Sequence, residues 1–128
     1  MSDDTGHLVL LIDDDELVRA TLTRALELAG FRVNTAENGA KGIENYRRER
    51  PDVIVTDILM PEKEGIETIL EIRAESEPPP IIAISGGDRT GNPYFLDIAA
   101  KLGVRQTLAK PFRPNELVSA VTSVLENG

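Results

Sequence analysis

The chain has 128 residues and a net charge of -8, from 14 basic and 22 acidic side chains, with no Cys and one His. Its length suits one domain over 1–128 with no appended output domain, and 41% hydrophobic with 28% charged residues is the composition of a globular chain, not a disordered one. The acidic excess disfavours nucleic-acid and anionic-membrane partners, the lack of Cys removes disulfide and thiolate chemistry, and His7 alone cannot build a histidine metal cluster. Any metal must therefore be held by oxygen. The apolar runs at 8–12 and 79–84 are far shorter than a membrane span, and 1–6 is too polar for a signal peptide, so a cytoplasmic location is expected.

In chain order, the run LVLLI at 8–12 is short, continuous and branched, as in a strand buried on both faces. Val18, Leu22, Ala25, Leu26 and Ala29 then repeat at helical spacing. RVNTA at 32–36 alternates polar with apolar and suits an edge strand. A helix over 39–50 rests mainly on Ile43 and Tyr46 and must stop before Pro51. VIVT at 53–56 reads as a second central strand, followed by a helix carrying Ile66, Ile69 and Leu70. The stretch EPPP at 77–80 is a stiff connector into IIAIS at 81–85, a third central strand. Phe95, Ile98, Ala99 and Leu102 mark another helix, QTLA at 106–109 a short strand nearer an edge, and Leu117, Val121, Val124 and Leu125 the last helix. His7 is expected in a frayed terminus, and Arg47, Arg48 and Arg50 on a solvated helix end.

Strands alternating with helices of ten or more residues predict an α/β fold of (βα)5 type, a doubly wound parallel sheet with helices on both faces. Such sheets bind ligands beyond the carboxyl ends of their strands. There the sequence places Asp13, Asp14, Asp15 and Glu16 after the first strand, Asp57 at the end of the third, Ser85 before Gly86 and Gly87 at the end of the fourth, and Lys110 after the fifth. Singly, each has an ordinary reading: an acidic residue capping the first helix, a turn Asp, a turn Ser, a solvated Lys. Together they form a chemically complementary set. Neighbouring carboxylates repel by roughly 1 to 4 kcal/mol per pair, so the cluster calls for a counter-charge, and Mg2+ suits an oxygen-only site of one or two carboxylates plus phosphate oxygens.

With VLLIDDDELVR, DVIVTDILMPEKEG, IIAIS and LAKPF in place, essentially the whole chain resembles the receiver domain of bacterial two-component response regulators. The resemblance implies a flavodoxin-like sheet in strand order 2-1-3-4-5 and a phosphorylation-dependent switch, not a turnover enzyme. It implies that Asp57 accepts a phosphoryl group, that Asp13, Asp14, Asp57 and the backbone carbonyl of Leu59 hold Mg2+, that Ser85 hydrogen-bonds the phosphoryl oxygens, and that Lys110 pairs with them. The phosphodonor would be a histidine kinase or a histidine phosphotransfer protein. The downstream target would be another protein, docking on the first helix or on the face formed by the last strand and its flanking helices. It also implies a cis Lys110-Pro111 bond. The added charge is expected to draw the Ser85 loop and the Lys110 ammonium inward, onto carboxylates with no cation close enough to balance them beforehand.

Three departures stand out. Thr107 replaces the aromatic residue usual three positions before the Lys, which shifts the expected relay towards Tyr94 and Phe95. The stretch 85–110, with GGDRTGNPYF at 86–95, is longer than usual. Leu59 and Gly87 stand two residues after Asp57 and Ser85, where neither side chain can orient a water, so a long-lived acyl phosphate is expected. Two other readings compete. Asp13-x-Asp15 after a strand looks like the nucleophile and acid of haloacid-dehalogenase-type phosphatases, although such enzymes need a further acidic pair near a late strand. A degenerate receiver acting only as a binding module is the other.

Overall fold

The computed structural model describes residues 6–58, 64–85, 101–110 and 112–127. Its five strands are β1 (Leu8–Ile12), β2 (Arg32–Ala36), β3 (Val53–Asp57), β4 (Ile81–Ser85) and β5 (Gln106–Ala109), all parallel in the order β2-β1-β3-β4-β5. The four described helices are α1 (Glu16–Leu28), α2 (Gly39–Arg48), α3 (Glu64–Arg73) and α4 (Pro114–Asn127). Of the helix expected around Phe95 to Leu102, Lys101 is helical and 86–100 lie outside the described residues.

The apolar runs are continuous because each central strand feeds two cores. Val9, Leu11, Val53, Val55, Ile82 and Ile84 pack with Leu22 and Leu26 of α1 and Leu117, Val121 and Val124 of α4. Their neighbours Leu10, Ile12, Ile54, Ile81 and Ala83 pack on the other side with Tyr46, Ile69 and Ile72 from α2 and α3. Strand alternation thus sorts one run into two layers. The mixed strands β2 and β5 take the edges, as their patterns predict.

Local chemistry fixes the helix ends. Gly30 adopts φ +100° just past α1, where its N–H returns to Glu27 and that of Phe31 to Leu26, closing the orphan carbonyls of the last turn. Ala29, expected inside the helix, is its cap. Helix α2 ends at Arg48, two residues short of the predicted stop; its buried positions are Gly39, Gly42 and Tyr46. A Cβ on Gly42 would lie 2.4 Å from the Ile12 side chain, so the absence of a side chain lets α2 pack closely on β1.

Two expectations need correction. Leu70 does not join the apolar stripe of α3 but is 52% exposed. His7 is half-buried and already part of the β1–β2 ladder, its carbonyl accepting from Arg32 N–H at 2.9 Å, so the order extends one residue beyond the strand. The arginines at the end of α2 are exposed but partnered: Arg47 with Glu71, Arg48 with Glu44, and Arg50 with the Tyr46 hydroxyl and the Glu77 carbonyl.

Candidate functional site

Parallel register brings the strand ends together. Ile12 pairs with Thr56, so Asp13 leaves β1 beside Asp57 at the end of β3. Asp57 pairs with Ile84, which puts Ser85 one residue further along β4, and Ser85 pairs with Ala109, so Lys110 follows β5 at the same edge. Leu59, Gly86, Gly87, Tyr94, Phe95 and Pro111 lie outside the described residues. Thr107 is half-buried on β5 opposite Ala83.

Asp13, Asp14 and Asp57 each present a carboxylate oxygen within 4.8 Å of the others. Asp13 and Asp57 are buried and Asp14 is exposed. Lys110 Nζ lies 3.1 Å from Asp57 Oδ2 and 3.5 Å from Asp13 Oδ2, with its side chain 25% exposed. This corrects the expectation that the carboxylates lack a nearby cation: the ammonium spans the end of β4 and pairs with both buried acids. Three carboxylates against one ammonium still leave two negative charges, a match for one divalent cation. The donor set, hard carboxylate oxygens on two adjacent strand ends with one open to solvent, fits a hydrated Mg2+.

The acidic triplet divides its labour. Asp15 is the N-cap of α1, its Oδ1 accepting from the N–H groups of Leu17 and Val18 at 2.9 and 3.2 Å. Asp13 Oδ1 accepts from the Asp15 amide at 2.8 Å, leaving Oδ2 to Lys110. The capping role thus belongs to Asp15 and the cluster role to Asp13 and Asp14. With its carboxylate bound to the helix, Asp15 is not the free acid that the phosphatase reading requires. Sequence reasoning missed Arg19, whose Nη1 donates to the Asp13 carbonyl oxygen at 2.7 Å. Helical spacing gives no sign that this side chain turns back to the strand end.

Burial pushes the Asp13 carboxyl above its ordinary value of 3.8; the Asp15 amide opposes this, Asp57 reinforces it and Lys110 opposes it. Burial by itself would lower Lys110, but Asp57 and Asp13 outweigh it and raise it above 10.5. A raised carboxyl pKa means that the fold binds that proton more tightly than the unfolded chain does, so the Asp13 contribution is present below pH 3.8 and is lost as pH rises through the folded value. Asp13→Asn, which keeps an acceptor for the Asp15 amide, is therefore expected to gain stability relative to wild type as pH rises through that window in metal-free solution. Urea unfolding of both chains across the range checks this; a pH-independent difference contradicts it.

Beside Lys110, a cavity of about 370 Å³ is lined by Leu17, Val18, Thr21, Leu22, Phe112 and Pro114, with Leu17 74% exposed. No helix among the described residues is long and apolar enough to cross a membrane.

The family described as Response regulator receiver domain matches residues 9–122. The chain is 34% identical over 120 residues to the chemotaxis protein CheY of Thermotoga maritima, covering 93% of this chain and 98% of that protein. It is 36% identical over 121 residues to the transcriptional regulatory protein PrrA of Mycobacterium tuberculosis, covering 94% of this chain and 51% of that one. The chain spans about half the length of most of these curated relatives. Among solved structures, the chemotaxis response regulator CheY4 of Vibrio cholerae superposes with a TM-score of 0.83 at 29% identity, over 94% of this chain and all of that one. A response regulator receiver domain protein from Clostridium thermocellum superposes at 0.84 with 25% identity, over 94% and 95% of the two chains.

Proposed function

Because the chain belongs to the response regulator receiver family, we propose that it is a phosphorylation-dependent switch of a two-component system with Asp57 as the phosphoryl acceptor. The observation that carries this reading is the placement of Asp57 between the Asp13 and Asp14 carboxylates and the Lys110 ammonium, buried yet at the carboxyl end of the sheet. In transfer from a phosphohistidine, an Asp57 carboxylate oxygen forms the new P–O bond as the P–N bond breaks, and the imidazole nitrogen leaves with the bonding electron pair. Such a displacement needs alignment and neutralisation of charge more than covalent assistance.

The residues divide that task. Lys110, already 3.1 Å from Asp57, keeps its charge at neutral pH and is free to follow the phosphoryl oxygens as they form. Asp13, Asp14, Asp57 and the Leu59 carbonyl would hold Mg2+, which when bound supplies further neutralisation of the phosphoryl group. Ser85, on the strand end next to Asp57, would hydrogen-bond a phosphoryl oxygen. The product carries roughly -1.5 to -2 charges where one carboxylate stood, which re-weights every contact at this edge.

The phosphodonor in this reading is a histidine kinase or histidine phosphotransfer protein. The apolar groove from Leu17 to Phe112 adjoins Lys110 and offers it a surface beside the acceptor. Output then passes through binding of a further protein.

Incubating the chain with a small phosphodonor and Mg2+ and measuring its intact mass tests the proposal. A single phosphoryl adduct is expected in the wild type and none in Asp57→Ala. Continuous phosphate release from many phosphate esters would favour the phosphatase reading instead, and no adduct under any condition would favour a module that only binds.

A further inference from the structure

Of the three clustered carboxylates, Asp13 and Asp57 are held by burial, whereas Asp14 is exposed and no packing fixes its direction. Its Cα, from which the carboxylate extends, is placed by the backbone that carries it. The Asp13 N–H donates to the Ala36 carbonyl at 3.1 Å, extending the β1–β2 ladder, and the Asp13 carbonyl accepts from Arg19 Nη1 at 2.7 Å. A peptide unit is planar, so holding the Asp13 carbonyl also sets the direction of the Asp14 amide and the position of the Asp14 Cα. Arg19 is itself well anchored: its own N–H donates to the Asp15 carbonyl at 3.0 Å in the first turn of α1, whose start is fixed by the Asp15 cap.

We propose that Arg19 is a positioning residue for the cation site, aiming the Asp14 carboxylate at Asp13 and Asp57 by holding the Asp13 carbonyl. The inference rests on the reading of that cluster as the Mg2+ site. Its effect has a distinctive sign. A guanidinium near an acidic cluster opposes cation binding by its charge alone, so a bystander Arg19 would tighten Mg2+ binding when neutralised. A positioning Arg19 would weaken it, because an outer hydrogen bond that orients a ligand commonly contributes 10- to 100-fold in metal affinity.

The test is Mg2+ titration of the full chain, followed by calorimetry and by amide shifts at Asp14 and Asp57, in wild type, Arg19→Met, Arg19→Lys and Asp14→Ala. Arg19→Met is expected to bind about tenfold more weakly, Arg19→Lys to recover most of the affinity by donating to the same carbonyl, and Asp14→Ala to lose binding. Unchanged or tighter binding in Arg19→Met, with Asp14→Ala inactive, would overturn this inference alone. A wild type that binds no Mg2+ would overturn the phosphorylation reading and this inference with it. Independently of how the variants fold, NMR of the wild type should find slow rotation of the Arg19 guanidinium; rotation as fast as at the exposed Arg24 would overturn the proposal.

Discussion

Gly65→Ala is expected to impair both stability and phosphorylation. The second residue of α3 sits directly on the end of β3: a Cβ at this position would lie 2.3 Å from the Asp57 carbonyl oxygen and 2.5 Å from the Ile58 Cα. Both are backbone atoms, so no side chain can swing aside. The helix start or the strand end must move. Overpacking of this kind costs about 1 to 3 kcal/mol, offset in part by the better helix propensity of Ala, at most about 1 kcal/mol. The effect on transfer is expected to be larger, since a displacement of about 1 Å at a reacting group can slow a reaction on the order of 100-fold. Urea unfolding and the rate of adduct formation with a small phosphodonor measure the two effects. Wild-type stability together with a wild-type rate would mean that α3 and β3 are not locked as described.

Lys110→Met should destabilise the metal-free chain and tighten Mg2+ binding at the same time. Removing the ammonium leaves Asp13 and Asp57 buried without the cation that lies 3.5 and 3.1 Å away. Breaking a fully buried pair costs about 3 to 5 kcal/mol. The Lys110 side chain is 25% exposed and partly screened by water, so a loss of roughly 1 to 3 kcal/mol is expected. The same vacancy raises the net charge facing a cation from two negative units to three, and affinity for Mg2+ is expected to rise about tenfold, or ~1.4 kcal/mol. Saturating Mg2+ should then recover much of the lost stability by linkage. Denaturation with and without Mg2+ tests both signs; weaker binding in the variant would mean that Lys110 supports the cation and does not compete with it.

These two residues also mark where the sequence could and could not be read. The central strands were legible because burial on both faces removes polar positions, leaving LVLLI, VIVT and IIAIS as unbroken apolar runs. The strand ends then placed Asp13, Asp57, Ser85 and Lys110 on one edge with no need of coordinates. Helix α2 was hard to read for a physical reason: it packs on β1 through Gly42, and Gly39 is buried as well, so the buried face carries little hydrophobic signal. The acidic triplet could not be divided from sequence, because any of its members can cap a helix; only the hydrogen bonds from Leu17 and Val18 single out Asp15. Lys110 and Arg19 have long flexible side chains whose reach depends on which strands lie adjacent. Their contacts with Asp57 and the Asp13 carbonyl are consequences of the assembled sheet. Gly65 likewise looks like an ordinary helix-start glycine until the backbone beneath it is seen.

In the proposed function one carboxylate, Asp57, takes the phosphoryl group while its acidic neighbours do not. Borohydride reduces an acyl phosphate to an alcohol, converting a phosphorylated Asp to homoserine and leaving free carboxylates untouched. Treating the chain with a small phosphodonor and Mg2+, reducing it, and sequencing its peptides by mass spectrometry therefore reads the acceptor directly. Homoserine at position 57 alone, dependent on both donor and Mg2+, is the predicted result. Homoserine at Asp13 or Asp14, or unmodified Asp57 in a sample that has consumed donor, would contradict it.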